Sequence, residues 1–189
     1  MIAAEVGHWR TEFGPLLNNF AGTGIGAPPS RARRPGCGRI LSATRPTVGA
    51  MTTAPLQITF DCADSHGLAR FWAATLGYEL EDHHDLVQRM LDTGQATGDD
   101  VVERAGRLAW KEAAACRGAD GTRLLFQVVP EPKTAKNRMH LDVHVPEGTR
   151  DAEVERLIGM GATFLHDGHQ GPFTWVTLAD PEGNEFCVA

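Results

Sequence analysis

The sequence predicts an α+β fold built of two successive βαβββ modules, on the strength of three observations. An alternating strand followed by an amphipathic helix occurs twice, near 56–77 and again near 139–161. Three further strand-like segments follow each helix. The bulk composition, 42% hydrophobic and 22% charged in 189 residues, suits a globular domain of ordinary size.

In the first module Ile58, Phe60 and Cys62 alternate with Gln57, Thr59 and Asp61, giving one apolar and one polar strand face. Asp64 or Ser65 caps the helix that follows, Leu68, Phe71, Trp72, Thr75 and Leu76 face the core, and Gly77 ends it. Strands are expected over 78–81, 108–116 and 122–129, the last two joined by a turn at 118–121. In the second module Leu141, Val143 and Val145 alternate with His140, Asp142 and His144. Thr149 or Asp151 opens a helix that turns Val154, Leu157 and Ile158 inward, and Gly161 closes it. Strands over 162–166, 173–178 and 185–188 complete the module, with Asp180-Pro-Glu-Gly as the hairpin turn.

The first module is about 54–131, with an insert at 83–106, and the second about 138–189. Leu86, Val87, Met90 and Leu91 in the insert have helical spacing, and 99–104 reads as another helical turn. This insert is either a lid over a pocket edge or a helical decoration packed on the sheet. Residues 1–53 are expected to be a disordered tail, because their Gly, Pro and Arg carry no apolar period. Met51 offers a plausible alternative protein start.

Charge is divided unevenly. Six arginines against Glu5 and Glu12 give residues 1–50 a charge of +4; the chain carries −6, so residues 51–189 carry −10. That balance argues against a nucleic-acid surface on the folded part. The longest apolar runs, such as Leu124-Leu-Phe, are too short to cross a bilayer, so no membrane partner is expected. Four cysteines without CxxC spacing point to a reducing, cytoplasmic compartment.

Phe71-Trp-Ala-Ala-Thr-Leu-Gly-Tyr, the ending Asp180-Pro-Glu-Gly-Asn-Glu-Phe-Cys-Val and the phrase Phe126-Gln-Val-Val-Pro-Glu-Pro-Lys before Asn137-Arg-Met-His-Leu-Asp-Val resemble the vicinal oxygen chelate superfamily. This superfamily comprises glyoxalases, bleomycin resistance proteins and dioxygenases, and the last phrase is similar to its glyoxalase-like actinobacterial branch. The resemblance covers about 54–189 and implies a curled mixed sheet around a cavity shared by the modules. It also implies a small-molecule ligand, with the modules pairing within one chain or between two chains of a homodimer.

Transferred residue by residue, the superfamily's metal positions fall on Gln57, Gln127, His140 and Cys187, with Gln57 matched to His140 and Gln127 to Cys187. A divalent ion such as zinc, nickel or manganese is the implied cofactor. One histidine and no carboxylate disfavour an iron-dependent ring-cleaving dioxygenase. Cysteine at the last-strand position, where the glyoxalase-like pattern has glutamate, argues against classical methylglyoxal chemistry. The polar faces supply Asp61, Asp142 and His144 as acid–base candidates. Gln57, Thr59, Gln127 and His140 are candidate ligand contacts, and Trp110 and Trp175 are candidate walls for a flat ligand. The 130–138 stretch reads as the linker between modules, with Lys133 or Asn137 placed to touch a ligand. His166, Asp167 and His169 read as a solvent loop.

Two functions fit these residues. One is a protein that holds a small molecule between the modules. The alternative is a divalent-metal-dependent lyase or isomerase acting on a small oxygenated metabolite.

Overall fold

The computed structural model describes residues 56–189, and the expected tail at 1–53 lies outside them. The first module runs β1 (Gln57–Cys62), α1 (Ser65–Leu76), β2 (Glu79–Leu80), an insert, and then β5 (Ala113–Arg117) and β6 (Arg123–Val128). The insert holds α2 (His84–Asp92), a 3-10 turn (Gly98–Asp100), β3 (Val101–Arg104) and β4 (Arg107–Trp110). The second module is β7 (Asp142–Val143), α3 (Arg150–Gly159), β8 (Thr163–Gln170), β9 (Phe173–Ala179) and β10 (Glu185–Val188).

The two four-stranded sheets have the orders β1-β6-β5-β2 and β7-β10-β9-β8, the same order once each strand is matched to its counterpart. In both, the first and last strands of the module run parallel and the remaining neighbours antiparallel. The duplication legible in the sequence is therefore a duplication of topology. Among the described residues, no helix is long and apolar enough to cross a membrane.

Three expectations need correction. Residues 101–104 are a strand, not a helical turn. The β-branched pair Val101-Val102 favours extension, and Ala105-Gly106, both at positive φ, turn the chain back so that β3 pairs with β4. The expected strand at 108–116 is consequently two strands, broken at Lys111-Glu112. Finally, His166, Asp167 and His169 lie on the exposed edge strand β8, not in a loop. Gly168 permits this close strand pairing, because a Cβ there would fall 2.3 Å from the Trp175 indole.

One core joins the modules. Asp64 caps α1 by accepting from the Gly67 N–H, and Gly77 closes the helix at φ 66°. The helix buries Leu68, Phe71 and Trp72 against Phe126 of the first sheet and Phe186 of the second. Trp72 meets Phe60 at 5.5 Å and Phe186 at 5.1 Å, ring centre to ring centre. The turn after β9 adds polar ties. Asp180 accepts from the Trp72 indole N–H at 3.0 Å, and the Glu182 carboxylate accepts the backbone N–H groups of Ala63 and Asp64, each at 2.6 Å.

Candidate functional site

The ladder register decides which residues of the two modules correspond. Gln127 in Phe126-Gln-Val pairs with Asp61, and Cys187 in Phe186-Cys-Val pairs with Asp142. Asp61 is thus the counterpart of Asp142, and Thr59, two residues earlier, is the counterpart of His140. This corrects the match of Gln57 to His140, because alternation alone does not fix how far along the strand the two repeats align.

On the second module three donors converge. The ligand atoms of His140, Asp142 and Cys187 all lie within 4.8 Å of one another. His140 Nδ1 and the Asp142 carboxylate are 2.9 Å apart. Cys187 is half-buried, with its sulfur 3.8 Å from the Thr177 hydroxyl. Burial raises the Cys187 thiol above its ordinary range, and the Thr177 hydrogen bond only partly opposes this. Asp142 was expected as an acid–base group; here it joins the donor set.

The first module presents a different chemistry. Arg123, buried at 6% exposure, donates through Nη1 to the Gln57 side-chain oxygen Oε1 at 2.5 Å and grips Glu81 through Nε and Nη2. Arg117 and His83 also reach Glu81, at 2.7 and 3.1 Å. Burial pushes the Glu81 carboxyl up, but hydrogen bonds from His83 and Arg123 and the charges of Arg123 and Arg117 hold it well below the usual carboxylate range. A guanidinium already on the Gln57 carbonyl opposes a second cation there. Gln127 donates to Asp61 at 2.9 Å. The two glutamines of the implied quartet are therefore engaged within their own module.

A cavity of about 490 Å³ lies along the seam between the modules. Its walls are residues 58–61 of β1, the linker at 131–133 and 137–141, and Asn184-Glu185, with Trp72 and Val129 completing the lining. Thr59, Asp61 and His140 line it, as do Lys133 and Asn137; Gln57, Gln127, Trp110 and Trp175 do not. Lys133 pairs with Glu185 at 3.2 Å, and the Asn137 N–H donates to the same carboxylate at 3.0 Å, so Glu185 straps the linker over the cavity. Asp142 and His144 border a second hollow of about 620 Å³ beside α3.

Trp110 packs on Ala113, Ala115 and Leu125 of the first sheet, and its indole N–H is buried without a hydrogen-bond partner. The insert is held by β4, where the Leu108 N–H donates to His84 Nδ1 at 2.9 Å. It contributes nothing to the seam cavity. Sequence reasoning missed Glu81, Arg123 and Arg138. Glu81 directly follows β2 and Arg123 opens β6, and no local spacing links two residues so far apart in the chain.

Residues 57–189 match the family model described as "Glyoxalase-like domain", and the chain belongs to that family, within the vicinal oxygen chelate superfamily. The comparison with curated proteins finds no match. Among solved structures, the chain is similar to a glyoxalase/bleomycin resistance protein/dioxygenase family enzyme from Burkholderia phytofirmans PsJN. That pair has 14% identity and a TM-score of 0.47, covering 70% of this chain and 94% of that one. It is also similar to a glyoxalase/dioxygenase from Nostoc punctiforme, at 15% identity and a TM-score of 0.48, over 81% of this chain and 97% of that one. A third is a fosfomycin resistance protein from Mesorhizobium loti, at 12% identity and a TM-score of 0.48, covering 73% and 91%.

Proposed function

We propose that this chain is a small-molecule-binding protein whose ligand lies in the seam cavity, against Thr59 and Asp61 on one side and His140 on the other. The observation that carries this reading is the cavity itself. Its 490 Å³ falls within the range of about 300–1,000 Å³ common to small-molecule sites. Both modules contribute polar groups over an apolar floor that includes Ile58, Phe60 and Leu141.

Substituting Thr59→Trp tests it. Thr59 is exposed on the polar face of β1, so a larger side chain there fills the cavity without entering the core. Fragments that bind the wild-type protein in ligand-observed NMR are expected to lose at least ten-fold in affinity, with the melting temperature held. An unchanged set of bound fragments would contradict the reading.

A second reading rests on the convergence of His140, Asp142 and Cys187. Nitrogen, oxygen and sulfur donors within 4.8 Å fit a borderline divalent ion, and three protein ligands leave a position open. His140, Asp142 and Cys187 would hold the ion, and zinc, nickel or manganese would supply Lewis-acid polarisation of a substrate oxygen. That chemistry is a lyase's or isomerase's. The full chain, purified without chelator or metal-binding tag, is expected to carry one equivalent of metal by elemental analysis. His140→Ala is expected to lose it. Failure to take up any ion from excess zinc, nickel or manganese would leave only the binding reading.

A further inference from the structure

The register of the second sheet decides which backbone groups its last strand leaves open. The Asp180 N–H donates to the Asn184 carbonyl, in the same register that pairs Ala179 with Glu185. In an antiparallel ladder, pairs that exchange backbone bonds alternate with pairs that do not. Residues 176, 178 and 180 therefore bond β10, and Trp175 and Thr177 turn their N–H and C=O groups to β8. There they meet Gly168 and His166. Asp167 and His169 consequently point their backbone groups away from the sheet. β8 ends the sheet, and among the described residues its outer edge has no backbone partner. The Asp167 carbonyl meets only the ring of His166, its own neighbour, at 3.2 Å.

This edge is unguarded. β8 has eight residues, whereas β2 and β7, which also end sheets, have two each. Edge strands are normally kept short or carry Lys or Pro. β8 carries neither, and its bulge lies near one end, between Phe164 and His166, so that 166–170 is regular. Among the described residues, neither the Asp167 carboxylate nor the His169 ring has a partner.

We propose that β8 is the joint of a homodimer, in which the β8 edges of two copies pair antiparallel about a twofold axis through Gly168. That register sets Asp167 of each copy opposite His169 of the other. Both residues point their backbone groups outward, so each of these equivalent pairs exchanges both N–H···O bonds. Facing residues share a face of the sheet, so carboxylate meets imidazole in each pair, and an imidazole donates whether neutral or charged. Centring the axis on Asp167 or on His169 would instead set like groups face to face, which charge disfavours.

On the axis the two Gly168 residues form a pair without backbone bonds, the kind in which Cα atoms approach to about 4.5 Å. Glycine suits that approach, because Trp175 fills the place of its Cβ: one there would fall 2.3 Å from the indole. The two indoles then cover the axis on one face. The pairing also brings the turn end of each hairpin to the Phe164-Leu165 end of the other. Phe173, beside that turn, is 73% exposed, and Phe164 and Leu165 are exposed too, so apolar burial at both ends adds to the backbone pairing. This joint is not an exchange of modules, since the core around Trp72 already pairs the modules within one chain.

The test is sedimentation of the full chain over a range of concentrations, with amide hydrogen exchange followed on the ¹⁵N-labelled protein. The wild type is expected to sediment as a dimer. His169→Pro removes an outward N–H without touching the β9 ladder, and Pro is tolerated at such edge positions. It is expected to give a folded monomer whose Asp167 amide exchanges at least ten-fold faster than in the wild type. Asp167→Lys is expected to weaken dimerisation at least ten-fold, and the double variant Asp167→Lys/His169→Asp, which again sets opposite charges face to face, to recover it. A wild type that stays monomeric at every concentration would overturn the proposal. So would a dimer whose Asp167 and His169 amides exchange freely, or one that survives both single variants. Should His169→Pro fail to fold, the charge reversal decides: a dimer weakened by Asp167→Lys and not restored by the double variant rules the joint out.

Discussion

Asp180→Ala is expected to destabilise the protein by about 3–5 kcal/mol, because the Asp180 carboxylate holds the modules together from a position only 2% exposed. It accepts from the Trp72 indole, from the Asn184 backbone and side chain, and from the Glu182 backbone, at 2.9–3.1 Å. Alanine leaves these donors buried, and each unmet donor costs about 1–3 kcal/mol. The same change loosens the turn that aims Glu182 at the N–H groups of Ala63 and Asp64. At about 3 °C per kcal/mol for a domain of this size, the melting temperature should fall by about 10 °C or more. Trp72→Phe removes the indole N–H together with the pyrrole part of a fully buried ring and should cost about 2–3 kcal/mol. A drop under 2 °C for Asp180→Ala would show that the turn does not secure the modules.

The second large effect belongs to Glu81. Breaking a buried ion pair from one side costs about 3–5 kcal/mol, and partial exposure of Glu81 places Glu81→Gln near about 3 kcal/mol. Its folded pKa lies below the unfolded value, so the stabilisation is full above the unfolded pKa of about 4.3. It is lost as pH falls below that toward the depressed folded value. Urea unfolding at a series of pH values should show wild type and variant differing most at pH 7, with the difference shrinking progressively as pH falls below about 4. A difference that does not change with pH would mean that packing, and not charge, holds this cluster.

The two effects mark what was legible in the sequence and what was not. The twofold βαβββ order was readable because alternation and helical spacing are local, and the strand orders repeat it. The division of 108–116 into two strands was hidden, since Trp110 and Ala113 are both acceptable strand residues. Only the Ala105-Gly106 turn and the β3 partner reveal the break.

At the site, His140 and Cys187 were visible through the family resemblance, and Asp142 through its place on the same strand face. What the sequence left hidden was pairing across the sheet. Gln57 is a neutral donor until Arg123 is seen beside it, and His140 matches Thr59 only once Gln127 and Cys187 are aligned in register. Trp110 and Trp175 suggested pocket walls by residue type, whereas packing and the close approach at Gly168 account for where they lie.

The seam cavity is the claim on which the functional account depends. A crystal structure of the full chain, soaked with the tightest-binding compound from the NMR titrations, tests it most directly. The account predicts ligand density between Thr59 and His140, over the Phe60 ring. Density in the hollow beside Arg156, with the seam left to solvent, would contradict it.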